Sequence, residues 1–254
     1  AVVEGALEGP ASLAPGYHAF TVANAGEAGY NVVVLRLKEG ATQDALIPAV
    51  EAVDASFAGQ GDLVEAFNAV LELADIHGEV FAESAAEGSV GMVLEPGAHV
   101  LVGNVETEGE SLPQNSYTPL EVTGDAQTEA PEADQTVQMV DFAFALPADI
   151  RAGEQVWQVV NAGEQIHHMV IMKLHEGKTV DDVTAWMESE QGPPPADEAG
   201  YVGVMSPGLS NYVTLELEPG EYLAVCFMPD HLGEATGQPH SMLGMMQSFT
   251  VAGE

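Results

Sequence analysis

Residues 10–44 read PASLAPGYHAFTVANAGEAGYNVVVLRLKEGATQD, and residues 147–181 read PADIRAGEQVWQVVNAGEQIHHMVIMKLHEGKTVD. Laid on each other without a gap, at an offset of 137, they share 14 identities in 35 positions. A second pair follows. VGMVLEPGAHVLVG at 90–103 matches VTLELEPGEYLAVC at 213–226, now at an offset of 123, so the middle of the first copy is longer by 14 residues. A repeat of this length settles the architecture before any local reading, because each copy must be one structural unit. Between the copies, TGDAQTEAPEADQT at 123–136 is polar, acidic and Pro-containing, which is linker composition. The chain therefore divides into a first domain at 1–122, a linker at 123–136 and a second domain at 137–254.

Within each copy the apolar residues come in short runs rich in Val, Phe and Tyr, bounded by Gly, Pro and Asn, and a period of two fits them better than 3.6. These are strands. Two stretches read as helix instead: Gln43 to Ile76, rich in Ala, Leu and Glu, and Val180 to Glu190, where Thr179 followed by Asp181 and Asp182 marks a helix start. The expectation is an all-β chain of two small sandwiches, each with a helical insertion. Arg36 and Lys38 match Lys173 and His175, so that parity is assigned to water. The other parity, with Asn31, Val33 and Leu35 or His168, Val170 and Met172, is assigned to the core.

The 254 residues are enough for two domains that each bury a core. Five Lys+Arg against forty Asp+Glu leave a formal net charge of -35, which excludes a nucleic-acid binder that must displace counterions from phosphate, and disfavours anionic membranes. No apolar run reaches the ~18 residues of a membrane span, so membrane insertion is not expected. One cysteine rules out a disulfide within the chain and any metal cluster that needs two thiolates. The chain starts at Ala1 without Met or an apolar leader, and on that basis an exported, periplasmic or extracellular protein is expected.

The second copy holds four donors that the first lacks: His168 where the first has Asn31, Cys226 where it has Gly103, then His240 and Met245 in a segment without a counterpart. A thiolate, two imidazoles and a thioether suit copper cycling between Cu(II) and Cu(I), with Met as a long axial ligand. A lone buried Cys is usually a small hydrophobe, and it is the other three in register that make Cys226 a ligand candidate. Met242 and Met246 read as packing residues. His18, His77, His99 and His175 have no partners in register and read as surface or satisfied histidines.

GEYLAVC at 220–226, PHSMLGMMQSFTV at 239–251 and HHMVI at 167–171 together resemble the plastocyanin/azurin-type cupredoxins, the blue copper proteins. The resemblance spans Gln138 to Val251. It implies two tandem cupredoxin-like Greek-key β-sandwiches, the first without copper ligands, and one type 1 copper in the second that carries single electrons to and from a redox partner protein. By the same resemblance His168 is the upstream imidazole, Cys226 the thiolate, His240 the second imidazole and Met245 the axial thioether. Copper storage, delivery or resistance is the alternative function, and a copper-free structural or adhesion module the third. Oxidase or reductase activity is not expected, because Cys226 stands between Val225 and Phe227 and not in an HCH tripeptide. Two departures from the family stand out. Thirteen residues, FMPDHLGEATGQP, separate Cys226 from His240, which predicts a long and mobile ligand loop. His231, five positions after Cys226, competes with His240. The acid itself predicts a saline habitat, or docking to a cationic partner.

Overall fold

The structure, a computed structural model, describes residues 2–3, 6–7, 9–105, 115–125, 128–189 and 191–253. Ala126 and Gln127 of the expected linker lie outside the described residues. Two-residue strands β1 (Val2–Val3) and β2 (Ala6–Leu7) pair with each other. The first repeat continues through β3 (Ser12–Leu13), β4 (Gly16–Ala23), β5 (Tyr30–Leu37), α1 (Gln43–Phe57), α2 (Leu63–Leu73), β6 (Ala74–Ala82), β7 (Glu87–Leu94), β8 (Gly97–Val105) and β9 (Asn115–Val122). The second comprises β10 (Gln135–Val140), β11 (Ala143–Ala145), β12 (Ile150–Arg151), β13 (Gly153–Asn161), β14 (His167–Leu174), α3 (Val180–Ser189), β15 (Ala196–Met205), β16 (Ser210–Leu217), β17 (Gly220–Val225), a 3-10 turn at His240–Leu243 and β18 (Met246–Ala252).

Both helical insertions start on side-chain caps. Thr42 accepts from the amide of Ala45, and Asp62 from that of Glu65 at 3.0 Å. At α3, Thr179 and Asp182 cap each other: the Thr179 amide donates to the Asp182 carboxylate at 2.9 Å and the Asp182 amide to the Thr179 hydroxyl at 3.3 Å. The remaining backbone forms sheets. One five-stranded sheet, in the order β3-β9-β8-β5-β6, belongs wholly to the first repeat, and another, β12-β18-β17-β14-β15, wholly to the second. The third sheet, β11-β10-β13-β16-β7-β4, has six strands and runs through both.

The join is antiparallel, with Asn211 opposite Met92 and Tyr212 opposite Gly91. At the offset of 123, β7 and β16 are the same strand of the repeat, so like pairs with like, as in a two-fold dimer interface. Behind this seam β15 crosses β6, and the approach requires Gly203: a Cβ there would stand 2.3 Å from the Cβ of Glu79. Each repeat is thus a β-sandwich, and the two sandwiches share a sheet.

The repeats keep the same internal register. Val33 faces Val102 in the first and Val170 faces Val225 in the second, positions that match at the two offsets. The core parity is the reverse of the sequence expectation. Val32 and Val34 of β5, and Met169 and Ile171 of β14, are buried, whereas Val33 and Val170 are only partly so; of the expected parity Leu35 and His168 are buried as well. Two causes misled the pattern. The outer face of β5 is covered by α1 and α2, so both of its faces are apolar. Arg36 and Lys173 do share the core parity, but they stand near the strand ends, where long stems let the charges reach Glu95 and Glu218.

Candidate metal centre

His167 opens β14, Cys226 follows the last residue of β17, and His240 starts the 3-10 turn that leads into β18. Adjacent strands of one sheet therefore bring the three to one end of the second sandwich. His167 Nδ1 lies 3.0 Å from His240 Nδ1, and Cys226 Sγ lies 3.5 Å from His240 Nδ1 and 3.8 Å from His167 Nδ1. All three residues are 0% exposed. Metal–nitrogen and metal–sulfur bonds of about 2.0–2.3 Å at trigonal angles put such donors about 3.5–3.8 Å apart; the two sulfur–nitrogen distances match, and the nitrogen pair at 3.0 Å would open by about half an ångström around an ion.

The structure brings His167, and not His168, to Cys226 and His240, a difference of one residue from the sequence expectation that follows the parity of the strand. Between His167 and Met169 the pairing with β15 also shifts register, the extra residue lying on β15. The His168 ring points to the other face, where its Nε2 accepts from the backbone amide of Phe227 at 2.7 Å.

His167 is held by Asp141, on the turn between β10 and β11. Its Nε2–H donates to the Asp141 carboxylate at 3.0 Å, which leaves the Nδ1 lone pair aimed at Cys226 and His240. The carboxylate also accepts from the amides of Glu164 and Gln165. Burial would raise the Asp141 pKa, but His167 and those two amides hold it below the usual carboxylate value. No motif in the sequence marks Asp141; only the fold brings the β10–β11 turn to His167. The next residue, Phe142, adopts a left-handed φ of 64° and sets its ring edge-on against His240, with centroids 5.2 Å apart.

The thirteen residues between Cys226 and His240 are fastened at their base. His240 N donates to the Met228 carbonyl at 2.8 Å, Ser241 N to that of Cys226 at 2.8 Å, and Pro229 bridges to Pro239. Inside the lobe, Asp230 accepts from the amides of Gly233 and Ala235 and its own amide donates to Gln238. The insertion is a closed turn, and Cys226 and His240 meet as if the loop were short. His231 belongs to that lobe and stands outside the trio. Its Nε2 accepts from Ile166 N at 3.4 Å, and its amide donates to the Gln165 side chain. Met245 is buried, its carbonyl accepting from Cys226 N and its amide donating to the His240 carbonyl, so its backbone is tied to both residues.

Burial sets the protonation of the trio. It pushes the Cys226 thiol up to about 11 and the His240 imidazole down to about 4, and it lowers His167 against the opposing pull of Asp141. At neutral pH the metal-free group is two neutral imidazoles and a thiol, so a metal that binds displaces one proton, that of Cys226.

No family model matches this chain, and no curated protein matches it. It is similar to solved structures. Reduced auracyanin from Roseiflexus castenholzii is 23% identical over 48% of this chain and 99% of that one, with a TM-score of 0.32. Auracyanin B is 21% identical over 48% and 92%, also at 0.32. A multicopper oxidase from Campylobacter jejuni is 12% identical over 92% of this chain and 53% of its own, at 0.28.

The first repeat has no such trio among the described residues. Its counterparts of His167 and Cys226 are Tyr30 and Gly103. Tyr30 is 1% exposed and its hydroxyl lies 3.1 Å from Ser116 Oγ; a Cβ built on Gly103 would stand 2.3 Å from that hydroxyl. The aromatic ring fills the end of the sandwich that the second repeat leaves to its donor group.

Proposed function

We propose that the second repeat holds one type 1 copper ion and that the protein passes single electrons. The observation that carries the reading is the convergence of His167 Nδ1, His240 Nδ1 and Cys226 Sγ at full burial, with His167 oriented by a carboxylate. The buried thiolate and nearby Met245 favour copper over harder ions, with the Met245 thioether as the weak axial donor. Bound copper supplies a Cu(II)/Cu(I) couple. The chain supplies the rest: Asp141 fixes the His167 ring, the sheet fixes Cys226, the fastened loop fixes His240, and Phe142 helps keep water away. A rigid frame of this kind moves little when the charge changes by one, which keeps electron exchange fast.

Cys226 is flanked by Val225 and Phe227, which favours a carrier over an oxidase wired through histidines on either side of the thiolate. Full burial of the trio favours retention of the ion over its delivery to another protein. A redox partner would meet a strongly acidic surface, and a cationic one fits it best. No helix among the described residues is long and apolar enough to cross a membrane; we place the protein outside the cytoplasm. The test is the visible absorption and EPR spectrum with one equivalent of Cu(II). An intense thiolate-to-copper band with reversible bleaching on reduction is expected; its absence refutes the reading.

A further inference from the structure

Between the metal end of the second repeat and the helical hairpin of the first lies a cavity of about 330 Å³, a size that suits a small molecule. Its walls are largely apolar, built from Val33 and Leu35 of β5, Val53 and Phe67 of the helices, and Phe227 and Met228 just after Cys226. Phe57 and Phe227, both in the lining, are 65% and 37% exposed and mark its mouth.

Six polar side chains line this space: Asn31, Asp54, Glu79 and Asn104 from the first repeat, His168 and Tyr201 from the second. Glu79 is already engaged, accepting from the Tyr201 hydroxyl at 2.8 Å on one oxygen and from the Asn31 amide nitrogen on the other. Two polar atoms at equivalent positions of the repeat are not. Asn31 Oδ1 is buried without a partner, an unfavourable state for an acceptor. His168 Nε2 accepts a backbone N–H and must be unprotonated, so in the neutral ring the proton sits on Nδ1, which makes no hydrogen bond among the described residues. Asn31 and His168 are the same position of the repeat, so the seam between the two sandwiches brings one free acceptor and one free donor to a single apolar chamber.

We propose that this cavity binds an uncharged apolar molecule bearing one group that both accepts and donates, an alcohol or a carboxamide. That group takes the His168 Nδ1–H and gives its own proton to Asn31 Oδ1, while the apolar body lies against the helices. The lining holds no Lys or Arg, so a bound anion would be buried without a cationic partner. The site needs no metal, so its failure would leave the electron-transfer reading standing, and the reverse.

The experiment is calorimetric titration of the metal-free full chain with 4-methylbenzyl alcohol, its hydroxyl-free analogue p-xylene, and the anion 4-methylbenzoate. The alcohol is expected to bind at about 1 mM or tighter, with p-xylene at least about tenfold weaker because it can make neither of the two hydrogen bonds, and the benzoate undetectable. Filling the chamber from α1 with Val53→Trp should weaken the alcohol at least about tenfold, a change of the order expected from overpacking a site; Val50→Trp serves if thermal melting shows the first variant unfolded. No binding of the alcohol, unchanged binding in a folded filling variant, or equal binding of p-xylene or of the benzoate overturns the proposal.

Discussion

The first and second repeats close the same end of the same sandwich in two chemically opposite ways. In the second, two imidazoles and a thiol stand with their polar atoms 3.0 to 3.8 Å apart at full burial. In the first, Tyr30 occupies the place of His167, and Gly103, with no side chain, makes room for it where the second has Cys226. The strand register beneath is unchanged, Val33 against Val102 and Val170 against Val225. The frame does not depend on the metal centre, then, and the centre is a local exchange of one large and one small residue for two donors, completed by His240.

The largest effect that would break this comparison is total loss of metal. Cys226→Ala in the full chain should remove the coloured copper adduct altogether, because no equivalent thiol exists in the first repeat. Residual tightly bound coloured copper would mean that the first repeat has a site as well. The same spectrum separates the two adjacent histidines: His167→Ala should abolish or convert the adduct, while His168→Ala should retain it. The opposite outcome would restore His168 as the ligand.

A smaller loss tests the support of the ring. Asp141→Asn keeps a neutral acceptor near His167 Nε2 but removes the charge, and substitutions of such supporting carboxylates weaken metal affinity by about 10–100-fold. Competition with a chelator of known affinity measures this directly. An unchanged constant would reduce Asp141 to a turn residue.

Much of this was legible before any coordinates. The 14 identities at a fixed offset give the two sandwiches, and the caps at Thr179 and the Ala-rich run after Gln43 locate the helices. Cys226 and His240 stand out because the first copy has nothing like them. The choice between His167 and His168 was not legible, since a strand's inward face is read from which parity is polar, and here helices cover the outside of β5 while Arg36 and Lys173 carry charge on the core parity near the strand ends. Asp141 was invisible for another reason: it lies 26 residues before His167, and only the sheet brings it there. The lobe between Cys226 and His240 rests on the Asp230 carboxylate and on backbone hydrogen bonds at its base, and the latter are not announced by residue types.

The plug in the first repeat can be tested by stability alone. Gly103→Ala forces a methyl to 2.3 Å from the Tyr30 hydroxyl and should cost about 1–3 kcal/mol, the range of overpacked cores. Tyr30→Phe removes the atom in conflict and breaks the bond to Ser116, at about 1 kcal/mol. If Tyr30 and Gly103 are one unit, the double variant recovers about 1 kcal/mol or more relative to the sum of the singles, measured as urea midpoints. Additive effects would show that the two positions are small and large for unrelated reasons.

The smallest expected effect concerns what the repeats have in common. The first domain carries 19 of the 40 acidic residues and the second 17, with two and three basic residues, although only the second has the donor trio. Acid placed to dock a partner at the donor trio would favour the second; near-equal counts fit instead the proposal that the acid serves both domains, as solubility in concentrated salt would. Like charges spread over one compact body repel, and salt relieves them as the Debye length falls from ~30 Å at 0.01 M to ~3 Å at 1 M. The urea midpoint should therefore rise between those salt concentrations by up to about half a molar, a shift below that of Gly103→Ala at an m-value of about 2 kcal/mol/M. The rise should be equal in the metal-free protein and in Cys226→Ala, because neither the charge nor its spread involves the centre. A flat or falling midpoint would reject the salt reading and return the acid to a docking role.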